Sequence, residues 1–302
     1  MVYKIIQKRK IFLSLSSLAA AASILALIFW GLNFGIDFTG GSLLEVQFTN
    51  YQPNITEIQD SLKDANLHNL VVQPTNDSVI LRFKDNTEEA HQAAVSQLQA
   101  LIKDKKDASF KELQFDAVGP SIGQELKSKS FNATIIVFIM IILYISLAFR
   151  KVSKPVASWK YGVAAVIALV HDLLFILGTF AVLGHFYGIE INTPFIAAVL
   201  TVLGYSVSDT IIVFDRIREN LPKSQEDFEN TINRSVNQTI TRSINTSFSA
   251  VLALLAVLFF GGDTIKDFAL ALIVGIIVGT YSSIFVASPV LVVWDKFTHR
   301  QK

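Results

Sequence analysis

The sequence predicts an α-helical polytopic membrane protein with six transmembrane helices and one extracytoplasmic α+β domain between the first two helices. Hydrophobic residues make up 51% of the 302 positions and charged residues only 17%, against about 25% in soluble proteins. Only two charged residues, Asp172 and Asp209, fall inside six long apolar runs. Runs of this length match the roughly 20 residues that a helix needs to cross a bilayer. The runs cover residues 11–30, 131–149, 161–184, 191–214, 244–260 and 268–294. This segregation excludes a soluble enzyme, a fibrous chain and a disordered tail.

The first apolar run is predicted to be a retained span rather than a cleaved signal peptide. It is about 20 residues long, against the 7 to 15 of a cleaved hydrophobic region, and it ends in Phe29 and Trp30 rather than in a small-residue cleavage site. Residues 1–30 are therefore expected to form a cytoplasmic N-terminus and the first transmembrane helix.

The positions of the basic residues predict the orientation. With the N-terminus inside, the inner segments carry sixteen Lys and Arg, and the outer side carries three near the spans. Cytoplasmic loops are enriched in these residues, so both termini are expected in the cytoplasm and residues 31–130 outside. The net charge of +1 gives no reason to expect nucleic acid as a partner. The absence of Cys and the scattered His give no reason to expect a metal site or a cofactor.

Residues 31–130 carry a mixed strand and helix pattern. Leu44, Val46 and Phe48 alternate with polar residues, as in a half-buried strand. Asn54 with Glu57 three residues later predicts a capping box that begins a helix. The order β-α-β-β-α-β suggests a ferredoxin-like unit, whose expected role is contact rather than chemistry. The other apolar positions that define its elements are Ile55, Ile58, Leu62, 70–73, Val79, Leu81, Phe83, His91, Ala94, Val95, Leu98, Leu101, Ile102, Leu113, Phe115 and Ala117.

Residues 131–302 are predicted to form the rest of the helical bundle, with a cytoplasmic loop at 215–243. Within that loop, apolar residues recur every fourth position from Phe228 to Ile240. This spacing indicates an amphipathic helix that lies on the inner membrane face or packs under the bundle. Asp215 and Arg216, directly after the fourth run, are expected to serve topology and helix capping.

Ionisable residues at membrane depth are functional hypotheses by default. Asp209 in the fourth span shares a helix face with Tyr205 and Ser208, and Gly204 would let a neighbouring helix approach closely. Arg242 lies just before the fifth span. A low dielectric favours a protonated carboxyl group and a nearby guanidinium favours its ionised form. Movement of Arg242 relative to Asp209 would therefore switch proton binding, whereas a fixed pair would only fasten two helices.

His171 and Asp172 lie halfway along the third span. A role in transport and a structural role are equally open for them. Adjacent side chains on a helix point about 100° apart, so the two residues are not expected to form a site alone.

Five stretches carry a family resemblance. They are residues 34–41, with Asp37, Gly40 and Gly41; residues 118–126, with Gly119 and Pro120; residues 204–220, with Asp215 and Arg216; residues 241–247; and residues 261–285. Together and in this order they resemble the SecF family of the bacterial Sec protein-export machinery, within the RND superfamily.

The resemblance implies a non-enzymatic auxiliary subunit of the Sec translocase in the bacterial cytoplasmic membrane. It implies that the subunit works with SecD and uses the proton-motive force in late steps of translocation. The implied partners are SecD, the SecYEG channel, YajC, YidC, exported preproteins and protons. It also implies proton coupling by Asp209 and Arg242, with Tyr205, Ser208, His171 and Asp172 as supporting polar residues.

Two other functions are compatible with part of the sequence pattern. One is half of an RND-like proton-driven exporter, which would need two six-span halves. The other is an intramembrane aspartyl protease in which Asp172 and Asp209 share a proton. That class carries Gly-x-Gly-Asp, whereas here the carboxylate follows Val207 and Ser208.

Overall fold

The computed structural model describes residues 3–75, 78–105, 107–148 and 157–299. The chain divides into a helical unit, residues 1–33 with 131–302, and an α+β unit, residues 34–130. Several positions used in the sequence predictions lie outside the described residues: Phe149 at the end of the second run and the basic residues Arg150, Lys151, Lys154, Arg300 and Lys302.

The elements follow one another in this order: α1 (Arg9–Phe29), α2 (Ile36–Thr39), β1 (Gly41–Thr49), α3 (Ile55–Ser61), β2 (Val71–Pro74), β3 (Val79–Phe83), α4 (Glu88–Ile102), β4 (Ser109–Val118), α5 (Pro120–Ala148), α6 (Ser158–Tyr187), α7 (Thr193–Asn220), α8 (Phe228–Phe260), α9 (Asp263–Ser282), a π-helix (Ser283–Ala287) and α10 (Ser288–His299). Within the described residues, six helical segments are long and apolar enough to cross a membrane. They confirm the six predicted spans.

The predicted cytoplasmic loop is mostly helical. α8 runs without a break from Phe228 into the fifth span, so the amphipathic segment is not a separate helix. Its apolar residues Ile232 and Val236 are fully buried. Asp215 lies well inside α7, where it pairs with Arg218 at 2.6 Å. Its expected role as a helix cap is therefore wrong, and the residue that caps α8 is Asp227, whose Oδ1 accepts the Asn230 N–H at 2.9 Å.

The segment before α1 is fastened to the start of α8. The buried Asn233 side chain accepts the backbone N–H groups of Ile5 and Ile6 at 3.0 and 3.1 Å. Glu229, also on α8, pairs with Arg9 and Lys296, each at 2.5 Å. These contacts join α1, α8 and α10 at one end of the helical unit.

Glycines let α7 and α9 pack closely. A Cβ atom added at Gly275 would lie 2.3 Å from Cγ2 of Val202, and one added at Gly279 would lie 2.9 Å from Cβ of Ser206. A Cβ at Gly204 would meet no atom of another segment within 4 Å among the described residues, so the glycine-mediated contact of α7 with α9 does not involve Gly204. The close contact brings short side chains of α9 within reach of α7 and α6.

The α+β unit is a four-stranded antiparallel sheet with strand order β2-β3-β1-β4. Its core joins strand residues such as Leu44 and Leu81 to Ala94 and Leu98 of α4. The capping box at Asn54 is present. This strand order and helix placement confirm the ferredoxin-like prediction.

At least three of the predicted apolar positions of the unit are exposed, one of them Ala117 of β4. Ile55, the first residue of α3, is 42% exposed, and Leu113 of β4 is 45% exposed. Between Glu45 and Val46 the paired residue in β4 changes from Gln114 to Glu112, which leaves Leu113 unpaired in a β-bulge. The bulge reverses the alternation on one side, so Phe110 and Phe115 pack against the core.

Consecutive glycines make the turn into β1. Gly40 has φ +74° and Gly41 has φ +125°, values that residues with a Cβ rarely adopt. A Cβ at Gly40 would lie 2.8 Å from Cα of Pro120. The backbone therefore requires glycine at these two positions, and the motifs at 34–41 and 118–126 pack against each other.

Candidate functional site

Two carboxylates are buried among the membrane-spanning helices. α6 carries Asp172, which is 0% exposed, and α7 carries Asp209, which is 7% exposed. A buried carboxyl group is costly unless it is paired or hydrogen-bonded, so the partners of each one define the site.

Asp172 is held by three elements. Its Oδ2 accepts hydrogen bonds from Ser206 Oγ on α7 at 2.6 Å and from Ser282 Oγ on α9 at 2.8 Å. Its Oδ1 lies 3.1 Å from Nδ1 of His171. The adjacent His and Asp side chains contact each other, and residues of α7 and α9 complete their site.

Asp209 lies between α8 and α9. Its Oδ1 accepts from Ser243 Oγ at 2.5 Å, and its Oδ2 accepts from Ser283 Oγ. All of its hydrogen bonds within the described residues come from serine hydroxyls, so a neutral rather than a cationic shell surrounds this carboxyl group.

The predicted polar stripe on α7 is divided. The Tyr205 hydroxyl lies 3.0 Å from Ser247 Oγ, and Ser247 is also hydrogen-bonded to Thr280 of α9. Ser208 is exposed and has no hydrogen bond in the part of the chain that the structure describes. Tyr205 and Asp209 therefore face α8 and α9, and Ser208 does not join them.

Arg242 is exposed on α8 and forms no ion pair with Asp209 among the described residues. The next residue, Ser243, reaches Asp209 instead. Asn245 and Thr246 are exposed on the same part of α8. In this chain Arg242 thus lies beside the carboxylate site on a polar surface of α8.

Four serines of the site were missed by sequence reasoning: Ser206, Ser243, Ser282 and Ser283. Serine is common in membrane helices as a small packing residue, so its presence alone is a weak signal. Within the described residues, Asp172 and Asp209 share no hydrogen-bond partner. The shared proton that an aspartyl protease requires has no basis in this arrangement.

Comparison with known proteins identifies the family of this site. The family Protein export membrane protein SecD/SecF, C-terminal, matches residues 97–297, and the SecD/SecF GG Motif matches residues 26–50. The chain belongs to the SecD/SecF family. The SecD/SecF GG Motif contains the Gly40 and Gly41 turn, and the C-terminal match contains both buried carboxylates.

Similar proteins of the SecD/SecF family cover nearly the whole chain. Protein translocase subunit SecF of Thermobaculum terrenum is 41% identical over 303 residues, which cover 96% of this chain and 93% of that protein. Protein translocase subunit SecDF of Brucella abortus is 36% identical over 93% of this chain. The crystal structure of SecDF from Thermus thermophilus matches with a TM-score of 0.83 and 32% identity over 98% of this chain.

The chain is much shorter than the SecDF proteins of the SecD/SecF family. It spans 39% of the Thermus thermophilus SecDF chain and 36% of the Brucella abortus one.

Proposed function

We propose that this chain is a SecF-type auxiliary subunit of the Sec protein translocase that works with SecD and uses the proton-motive force to promote late steps of translocation. Full-length similarity to proteins named as translocase subunits supports the translocation role. Similarity to SecDF proteins supports SecD as the partner. No step of this role requires the chain to act as an enzyme.

The observation that carries the proton-coupling part is the environment of Asp209. The carboxyl group is buried in a membrane-spanning helix, and serine hydroxyls rather than a fixed cation contact it. A hydroxyl can donate to an ionised carboxylate or accept from a protonated carboxyl group. The site can therefore hold Asp209 in either protonation state, which a fixed salt bridge would not allow.

Arg242 is the second residue proposed to take part in proton coupling. Its side chain lies on the exposed surface of α8, one residue from the Asp209 ligand Ser243. A guanidinium facing acyl chains is costly, so a polar surface of another protein is expected to contact Arg242. We propose that SecD provides that surface. We also propose that movement of Arg242 toward or away from Asp209 changes the proton affinity of Asp209.

The proposed location is the bacterial cytoplasmic membrane, with both termini in the cytoplasm and the α+β unit on the opposite side. The support is the excess of Lys and Arg in the segments assigned to the inner side. SecYEG, YajC, YidC and exported preproteins are the further proposed partners, on the strength of the family alone.

Asp209→Asn tests proton coupling. Asparagine keeps the size and can still bind serine hydroxyls, but it cannot take up and release a proton. In inverted vesicles that contain the SecD complex and ATP, we expect the variant to lose the extra export caused by a proton gradient. Arg242→Lys keeps the charge but loses the planar fork and should be partly defective, and Arg242→Ala should be worse.

Thr201→Val is the matched control. Thr201 is exposed on the same helix and donates to its own backbone at the Ala197 carbonyl, at 2.8 Å, so its loss should leave the gradient response intact. Co-purification with SecD shows whether each variant is assembled. An assembled Asp209→Asn complex that responds fully to the gradient would leave Asp209 with a structural role only.

A further inference from the structure

We infer that Ser282 and Ser283, where α9 passes into the π-helix, couple the protonation of Asp209 to that of Asp172, so that the His171–Asp172 pair is a second ionisable site of the same transport cycle. The transport part of this inference rests on the proposed function of Asp209. The coupling itself is a property of the helical unit and can be measured without transport.

Two adjacent serines, at the end of α9 and the start of the π-helix, bind the two carboxyl groups. Ser282 donates to Oδ2 of Asp172 and Ser283 donates to Oδ2 of Asp209. Consecutive helical side chains point in different directions, so this end of α9 lies between the two carboxyl groups. α7 provides a second link because Ser206 donates to Asp172 and lies one turn before Asp209 on the same helix.

Each of these two serines has an alternative acceptor on its own helix. Ser282 Oγ lies 3.1 Å from the Gly279 carbonyl oxygen, and Ser283 Oγ lies 3.0 Å from the Thr280 carbonyl oxygen. A hydroxyl has one hydrogen. It donates to an ionised carboxylate, but it is free to turn to the backbone and accept when the carboxyl group carries a proton. Protonation of either carboxyl group therefore changes what holds this end of α9.

The backbone at this point departs from a regular α-helix. Residues Ser283–Ala287 form a π-helix, and Ser288 Oγ donates to the Ser283 carbonyl at 3.2 Å. Such widened turns occur mostly at functional sites. One turn earlier, Gly279 lies directly against Ser206. A change at Ser282 is therefore transmitted to α7, and through α7 to Asp209.

The other titratable and charged groups on the surrounding helices define the electrostatic setting. The four helices that surround the carboxyl groups each contribute one such residue: His171 on α6, Tyr205 on α7, Arg242 on α8 and Tyr281 on α9.

The charged groups of α1 and α10 lie near the end of the unit that Glu229 fastens. They are Arg9, Lys10, Asp295 and Lys296. His171 contacts Asp172 through Nδ1. It also lines a cavity of about 350 Å³ with Ser16, Phe175 and Tyr281. The cavity gives the His171 ring room for a small displacement.

The test measures how fast Asp209 is modified by dicyclohexylcarbodiimide, which reacts with protonated carboxyl groups in membranes. The SecD complex is labelled in vesicles at fixed pH without a gradient, and the modified peptides are quantified by mass spectrometry. Asp172→Asn should slow the labelling of Asp209 by at least about threefold, the effect expected of directly coupled sites. Loss of one buried negative charge makes a charge on Asp209 easier to hold.

The same comparison in a Ser282→Ala background separates the hydroxyl link from long-range charge. If Ser282 carries most of the coupling, adding Asp172→Asn to Ser282→Ala should change the labelling of Asp209 by at least about twofold less than it does in the parent, because directly coupled sites are non-additive. The effect that remains is that of the lost charge and of the Ser206 link. Thr179→Val is the control, since Thr179 on α6 donates only to its own helix, at the Phe175 carbonyl. If Ser282→Ala does not assemble with SecD, Ser282→Cys, which keeps the volume but donates weakly, serves the same comparison.

Two results would overturn the inference: an unchanged rate for Asp209 in Asp172→Asn, or equal effects of Asp172→Asn with and without the Ser282 hydroxyl. The export experiment tests the proposed function and the labelling experiment tests the coupling, so either one can fail while the other succeeds. Loss of the gradient response in Asp209→Asn without any effect of Asp172 on labelling would keep the proposed function and remove the coupling. Coupled labelling together with a fully responsive Asp209→Asn complex would do the reverse.

Discussion

Replacing Gly41 by alanine should lower the free energy of unfolding of the α+β unit by about 2 to 6 kcal/mol. The backbone at Gly41 has φ +125°, and a side chain held in such a region costs about 1 to 3 kcal/mol. The added Cβ would also lie 2.6 Å from the Phe83 carbonyl oxygen, and overpacking of this kind costs about 1 to 3 kcal/mol more. Phe83 is backbone-paired in the register of β1 and β3, so it cannot move aside without disturbing the sheet.

The chain has no Cys, which makes a single introduced thiol a clean reporter of opening. Val46 is 0% exposed in the core of the unit, so Val46→Cys should react only when the unit opens. All variants are compared in this background, which cancels the cost of the reporter. At about 1.4 kcal/mol per factor of ten, Gly41→Ala should raise the labelling rate by about 30-fold to 10⁴-fold under conditions of rapid reclosing.

Gly119→Ala is the matched control in the same unit. An added Cβ there meets only the Asn86 side chain, at 3.7 Å, and the labelling rate should stay within about twofold of the parent. If Gly41→Ala labels no faster than Gly119→Ala, the glycine turn does not determine the position of β1 and the steric reasoning is wrong.

Two further predictions concern other parts of the chain. The His68 backbone N–H, which donates to Asp85 Oδ2 at 2.7 Å, lowers the pKa of that carboxyl group. A group with a lowered folded-state pKa stabilises the fold above its unfolded pKa, about 3.9, and loses that contribution as the pH falls through its folded value. Acidification from pH 6 to 3 should therefore raise the labelling rate, taken relative to that of a free thiol at the same pH, less in Asp85→Asn than in the parent. Equal acid sensitivity would contradict the prediction. Asn233→Ala leaves the N–H groups of Ile5 and Ile6 without their acceptor, at a cost of about 1 to 3 kcal/mol. Hydrogen exchange at those two amides should then be at least about fivefold faster than in Asn233→Asp, which keeps the acceptor, and similar rates would show that the contact does not protect them.

The six spans could be predicted because bilayer thickness requires long apolar runs, and the strands because one face of a sheet is buried. The residues at which helices begin and end depend instead on the positions of Pro and Gly. α5 starts at Pro120, where a missing N–H costs nothing in the first helical turn. The continuity of α8 had a signal, since residues 228–260 contain neither Gly nor Pro. The bulge at Leu113 had no such signal, because the alternation of apolar and polar residues does not show which residue of a strand is left unpaired.

The candidate site could be predicted only in its charged residues. A carboxylate in an apolar run is conspicuous, so Asp172 and Asp209 were found. Their serine partners come from helices that are distant in sequence; Ser282 lies 110 residues from Asp172. Which serine reaches which carboxylate depends on the close contact of α7 and α9, and that contact is made by Gly275 and Gly279 rather than by Gly204.

The attachment of the N-terminal segment to α8 has a consequence for the order in which the chain is completed. Asn233 is made 228 residues after Ile5, when four of the six spans have already been synthesised. α1 is therefore in the membrane long before the side chain that accepts the Ile5 and Ile6 N–H groups exists. Any chain that ends before residue 228 also lacks Glu229, the common partner of Arg9 and Lys296. The first helix to be inserted thus gains this anchorage only after synthesis of the fifth span has begun.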